Sequence, residues 1–136
     1  MIKINTFILL MVLWFAPAWG QNNEGIDEVT AYTGSWKLTA ISGGFSGMGE
    51  KIKFPTVLEV YEDGMYSISQ NGIQVEKGDF VVKKSFLGTK VTLEPTKSSL
   101  VQVFTKETKT IYQEENKLFL MDPCCDMFTY HFEQIK

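Results

Sequence analysis

The sequence predicts an all-β fold, an antiparallel up-and-down barrel of eight to nine strands, and three observations carry this. Runs rich in β-formers alternate with turn signals at roughly 8–12-residue spacing. No long stretch repeats with the 3.6-residue period of a helix. Successive runs are joined by short turns with no crossover helix, which describes a meander, and closing a meander removes the unpaired edges that otherwise template aggregation.

The chain of 136 residues opens MIKINTFILLMVLWFAPAWGQNN. One positive residue (Lys3), an apolar run from Phe7 to Ala16 and the small-x-small triplet Ala18-Trp19-Gly20 have the layout of a secretory signal peptide. The run is about half the ~20 residues a spanning helix needs, so no membrane span is expected after cleavage. Residues 1–20 are therefore set apart as a leader, and the protein is expected to be exported, periplasmic or secreted. Residues 21–136 read as a single domain, long enough for a core and too short for two. Lys3 is the only charged residue of the leader, so 12 Lys face 16 Asp plus Glu in the remainder, a net of −4. The chain contains no arginine. Nucleic acid is not an expected partner, because phosphate and base readers present a basic face and arginine forks.

After a polar lead, residues 27–32 form the one helical candidate. The β-runs follow at 36–42, 56–61, 65–70, 73–82, 90–94, 100–105, 108–113, 117–121 and 127–135. Their turns can be tested against the apolar pattern, because a one-residue slip moves every side chain to the other face. In YEDGM a three-residue loop, Glu62-Asp63-Gly64, pairs Val60 with Tyr66 and Leu58 with Ile68 inside, and puts Gly64 in the left-handed position. In QNGI a two-residue type I′ loop pairs Ile68 with Val75 inside and Ser67 with Glu76 outside. Phe80 and Val82 have the opposite parity to Val75, so one residue must be skipped, and Gly78 is the expected bulge. In the last hairpin, setting Met121 opposite Met127 places Leu118 beside Tyr130 and Leu120 beside Phe128 inside, with Lys117 opposite His131 outside.

Several short motifs lie along this meander. Gly34-Ser35-Trp36 is a G-x-W at the first strand, followed by the glycine-rich loop GGFSGMGE (43–50). Asp63-Gly64-Met65-Tyr66 forms a hairpin, and Leu118, Leu120 and Asp122 lead to Phe128, Tyr130 and Phe132. Together they resemble the lipocalins, in particular the small exported lipocalin-like proteins of bacteria, over most of residues 21–136. One departure is the lack of an arginine to stack on Trp36; Gln134 or Lys136 would take that place. The resemblance implies a barrel binding a small, mostly apolar molecule in its interior, with Gly34 and Trp36 as structural residues. Joined to hairpin parity, it assigns the interior to Leu58, Val60, Tyr66, Ile68, Val75, Leu118, Leu120, Phe128, Tyr130 and Phe132. Phe45 and Met48 become the apolar lips of the mouth loop. The alternative is a filled barrel that binds or inhibits another protein through its loops or outer face, since fold alone does not decide function.

No catalytic residue, metal or cofactor is expected. His131 is the only histidine, reads as a solvated strand residue, and stands roughly 20 Å from Cys125 along an extended strand. That distance rules out a Cys–His nucleophilic pair, and nothing in the sequence places a serine near it. A zinc site wants four spaced ligands, whereas Cys124 and Cys125 are adjacent. Asp122-Pro123-Cys124-Cys125 suits a type I turn at the tip of the final hairpin. Strict up-and-down counting puts that tip at the end opposite the glycine-rich loop. The alternative in an oxidising compartment is a bridge to a second chain or a vicinal disulfide, the latter with adjacent α-carbons at ~3.8 Å imposing strain on the ring.

Overall fold

The computed structural model describes residues 28–98, 108–123 and 127–136. Within them, a helical turn at 28–30 precedes eight strands: β1 (Gly34–Gly43), β2 (Thr56–Val60), β3 (Met65–Gln70), β4 (Ile73–Ser85), β5 (Gly88–Ser98), β6 (Lys109–Glu114), β7 (Lys117–Met121) and β8 (Phe128–Gln134). They form a closed antiparallel barrel in sequence order, with β8 returning to β1. The expected leader, the run expected at 100–105, and Cys124, Cys125 and Asp126 lie outside the described residues.

Local chemistry sets the first hairpins. Between β2 and β3 the Tyr61 N–H donates to the Met65 carbonyl at 2.9 Å and Gly64 takes φ 84°, while Asp63 Oδ1 accepts the Met65 N–H at 3.0 Å. The resulting register pairs Val60 with Tyr66 and Leu58 with Ile68, as the sequence predicts. The β3–β4 turn is the expected two-residue loop, with Asn71 at φ 53° and Gly72 at φ 78°. Its bulge sits elsewhere than expected. The ladder shifts between Ser69↔Gln74 and Ile68↔Glu76, so Val75 is the skipped residue and Glu76, not Val75, faces Ile68. Gly78 borders a second bulge, on the other side of the strand, where Lys77↔Lys97 gives way to Gly78↔Pro95.

β4 and β5 run further than the sequence pattern suggests, to a tip at Phe86-Leu87. Ser85 Oγ holds the tip by accepting the Leu87 N–H at 3.2 Å and donating to the Gly88 carbonyl at 3.0 Å. In the last hairpin the pairs are Leu118↔Phe132, Leu120↔Tyr130 and Phe119↔His131. The slip from the expected register is two residues. An even slip keeps every side chain on its predicted face, but Phe119, not Lys117, lies opposite His131.

Alternate residues of the strands point inward and merge into one core cluster that includes Trp36, Leu38, Leu58, Phe80, Leu93, Ile111 and Phe132. Trp36 is fully buried, and its indole N–H donates to the Tyr32 carbonyl at 2.8 Å, binding the helical turn across one end of the barrel. Val29 joins the core there, and Lys84 pairs with Glu28 at 3.8 Å. Gln134 is the strand partner of Trp36. Its amide nitrogen would lie 3.2 Å from a Cβ added at Gly34, so glycine there makes room for it. Lys136 is exposed.

With eight strands, the connections after β1, β3 and β7 all emerge at one pole of the barrel. The helical turn, the EDG turn and the end of β8 lie at the other. The 122–127 turn therefore stands beside the glycine-rich loop instead of opposite it: Gly44 N–H donates to the Met127 carbonyl at 2.9 Å. Counting nine runs in place of eight strands is what reversed that expectation.

Candidate functional site

The loop pole is built on glycine. Gly43, Gly44, Gly47 and Gly49 all adopt positive φ, where only glycine is free of strain. Their backbone folds the loop on itself through Gly47 N–H to the Gly44 carbonyl at 3.0 Å and Gly49 N–H to the Gly43 carbonyl at 2.9 Å. Glu50 N–H then returns to the Ile41 carbonyl at 3.1 Å. The loop is thus a hydrogen-bonded extension of the barrel wall, and it holds Phe45 and Met48 outward, 95% and 88% exposed. Phe54, Ile73 and Met127 are exposed at the same pole. Asn71 N–H donates to the Pro55 carbonyl at 3.0 Å, which brings the Phe54 and Ile73 segments together.

Below this rim lies a polar layer that the sequence reading missed. Lys109, 3% exposed, pairs with Asp122 and sits 5.4 Å from the centroid of the Tyr130 ring. Both residues continue inward-facing rows: Lys109 shares parity with buried Ile111, and Asp122 with buried Leu118 and Leu120. That parity was available in the sequence. Glu76, 4% exposed, takes the Tyr66 hydroxyl on Oε2 at 2.9 Å. Burial, then the Glu76 hydrogen bond and the charges of Glu76 and Asp79, push the Tyr66 phenol well above its ordinary pKa, so it remains a donor.

The structure brings eight of the ten interior residues together as buried neighbours; Val75 and Phe128 pack against them half-buried, Val75 because of the bulge. Leu58, Leu118 and Leu120 have no accessible surface, and Tyr66 and Phe132 almost none. A side chain lining a water-sized void would expose surface to it, so these residues fill the barrel. A cavity of about 90 Å³ opens elsewhere, in the wall between β4 and β5, lined by Gln74, Val75, Glu76, Lys77 and Lys97. It is smaller than the ~300 Å³ at which pockets for drug-sized ligands begin.

His131 lies on the outer face, edge-on to Phe119 with ring centroids 5.2 Å apart. A serine whose place the sequence did not reveal reaches it: Ser42 Oγ is 2.7 Å from Nε2. This meeting depends on the β1–β8 register, in which Ser42 pairs with Thr129 and Ala40 with His131. No carboxylate bonds the ring among the described residues, so the third group that orients a nucleophile's base is not supplied there. Among the described residues no group of three or more His, Cys, Asp or Glu is arranged to hold a metal ion, and no helix is long and apolar enough to cross a membrane.

The class that fold and site define is a closed eight-strand up-and-down β-barrel, consistent with a lipocalin-like barrel. In comparisons with known proteins, no family model, curated protein or solved structure matches the chain.

Proposed function

We propose that this chain is an exported, lipocalin-like binding module, non-catalytic, whose loop pole grips an apolar surface of another protein. The observation that carries this reading is a contrast. Eight of the ten side chains that would line a ligand cup are buried in the core, while Phe45 and Met48 are held out on a hydrogen-bonded loop. Exposed apolar side chains gathered at one place mark interaction sites more often than chance display. Export rests on the leader at residues 1–20.

The other reading, a small apolar molecule inside the barrel, keeps its support from the motif resemblance and requires the interior side chains to move. An environment-sensitive apolar dye separates the two, read by fluorescence on wild type, on Phe45→Ser/Met48→Ser, and on Tyr66→Ala. Dye binding lost in the loop variant and kept in Tyr66→Ala supports the loop pole; the reverse pattern moves the site inside. Native mass spectrometry of protein purified from its source then shows whether a polypeptide or a small molecule travels with it.

A further inference from the structure

One hairpin tip breaks a rule that its neighbours keep. The β2–β3, β3–β4 and β6–β7 turns carry Glu62-Asp63-Gly64, Asn71-Gly72 and Glu115-Asn116, the polar residues and glycines that short turns favour. The β4–β5 tip carries Phe86 and Leu87 instead, 97% and 74% exposed. A local rule broken with no return in packing points to a use outside the fold. The tip also stands clear of the wall. Among the described residues the β3 ladder ends at Met65↔Asp79 and the β6 ladder reaches no nearer the tip than Lys90↔Thr110. The last two rungs, Lys84↔Thr89 and Ser85↔Gly88, therefore form a two-stranded arm rooted at Lys83↔Lys90. Ser85 caps its turn, and the Lys84–Glu28 pair ties its base to the helical turn.

The charge of the arm is equally one-sided. From Phe80 to Leu93 the chain has Lys83, Lys84 and Lys90 and no carboxylate, in a protein whose net charge is −3. Lys83 stands directly opposite Lys90, a like-charge rung that by itself weakens a sheet. Among the described residues the ion pairs are Lys84–Glu28 and Lys109–Asp122, so no carboxylate pairs with Lys83 or Lys90. Glu62 and Asp63 lie at the same pole but back from the tip. The Gly64 carbonyl beside them accepts the Phe80 N–H at 2.7 Å, and Phe80 is six residues, roughly 20 Å of extended strand, from Phe86.

We propose that the β4–β5 arm docks this protein on an anionic lipid bilayer, with Phe86 and Leu87 entering the acyl boundary and Lys83 and Lys90 meeting lipid phosphates. Three residues of strand, roughly 10 Å, separate each lysine from the nearer apolar residue of the tip. Surface-bound apolar segments sink about 5–10 Å, so the lysines come level with the headgroups, and their flexible stems reach along the interface. A convex wedge of two side chains enters a fluid bilayer without a preformed pocket, whereas a protein partner would have to supply one. The inference concerns the pole opposite Phe45 and Met48, does not rest on the loop-pole reading, and stands if the dye experiment fails.

The test is co-sedimentation with vesicles of phosphatidylcholine alone and of equal parts phosphatidylcholine and phosphatidylglycerol, on wild type, Phe86→Ser/Leu87→Ser and Lys83→Gln. The expected leader is left out, because its apolar run would bind vesicles by itself, and the barrel closes within residues 34–134. Binding to the anionic vesicles, weakened by added salt, is expected. Lys83→Gln should weaken it about fivefold, the loss for one lysine at an anionic surface. The tip variant should weaken it at least about tenfold, since two large apolar side chains no longer leave water. All three substituted side chains are exposed, so neither variant endangers the fold. In Phe86→Trp the new indole should be quenched by lipid brominated in its acyl chains. Absence of binding to the anionic vesicles overturns the proposal. So does equal binding to phosphatidylcholine alone, unchanged binding in the tip variant, or a photocrosslinker at position 86 that captures a polypeptide in place of lipid.

Discussion

The carboxylate of Asp122 holds Lys109 through Oδ1 and the backbone N–H of Phe128 through Oδ2, the latter at 3.4 Å. One side chain therefore ties the start of β6 to both ends of the 122–127 turn. Because that turn supports Gly44, the pair also fixes the seat of the glycine-rich loop.

Removing either partner of this pair alone strands a buried charge. Lys109→Met or Asp122→Leu should each lower stability by about 3–5 kcal/mol, and the double variant should recover most of the loss. Urea denaturation of the four proteins measures the coupling. Single variants within a few tenths of a kcal/mol of wild type would show that the pair is not buried as described.

Tyr66 makes stability depend on alkaline pH. Its folded pKa is raised, by burial first and by Glu76 second, so above the ordinary value near 10 the unfolded chain releases a proton that the folded one keeps. Stability supplied by the neutral phenol is full below pH 10 and falls above it, with a limiting slope of ~1.4 kcal/mol per pH unit from this residue. Denaturation at a series of pH values should show a shallower alkaline decline in Tyr66→Phe than in wild type, whatever its stability at neutral pH.

The glycine-rich loop offers an internal control. A Cβ at Gly43 would lie 2.1 Å from the Met127 carbonyl oxygen and one at Gly49 2.1 Å from that of Ile41, both at positive φ. Gly47 has a positive φ too, but nothing within 4 Å. Gly47→Ala should cost about 1 kcal/mol for backbone strain alone. Gly43→Ala and Gly49→Ala should cost several times more, or release the loop, seen as faster amide exchange at Gly47 and Gly49. Equal costs at all three sites would count against the close approach.

What was legible in the sequence follows from which residues announce themselves. Gly64 and Asn71-Gly72 fix turn type, and turn type fixes register, so Val60↔Tyr66 and Gln70↔Ile73 could be read directly. The need for a skipped residue was also legible, because Phe80 and Val82 have the wrong parity for a continuous face. Its place was not: a bulge demands no particular residue type, and the glycine expected to mark it, Gly78, stands where it does for another reason. A Cβ there would sit 2.0 Å from the Glu94 carbonyl oxygen, at the β4–β5 bulge. Glu76 was therefore read as a surface residue when it is an interior one. The Ser42–His131 contact was invisible because it arises from closure, with a further shift between Leu38 and Ala40, and neither leaves a local mark.

Closure has a temporal side. The barrel is sealed by pairing β1 with β8, so Trp36 meets Gln134 across nearly the whole described chain. A ribosome releases β1 long before β8 exists, and until then one edge of the first strand waits with open N–H and C=O groups. Contacts of such long sequence separation place folding toward the slow range of small domains, roughly milliseconds to seconds, since loop entropy is lost before the pairing rewards it. Any chain that ends before β8 keeps its meander and loses its seal, leaving two strand edges open to self-association.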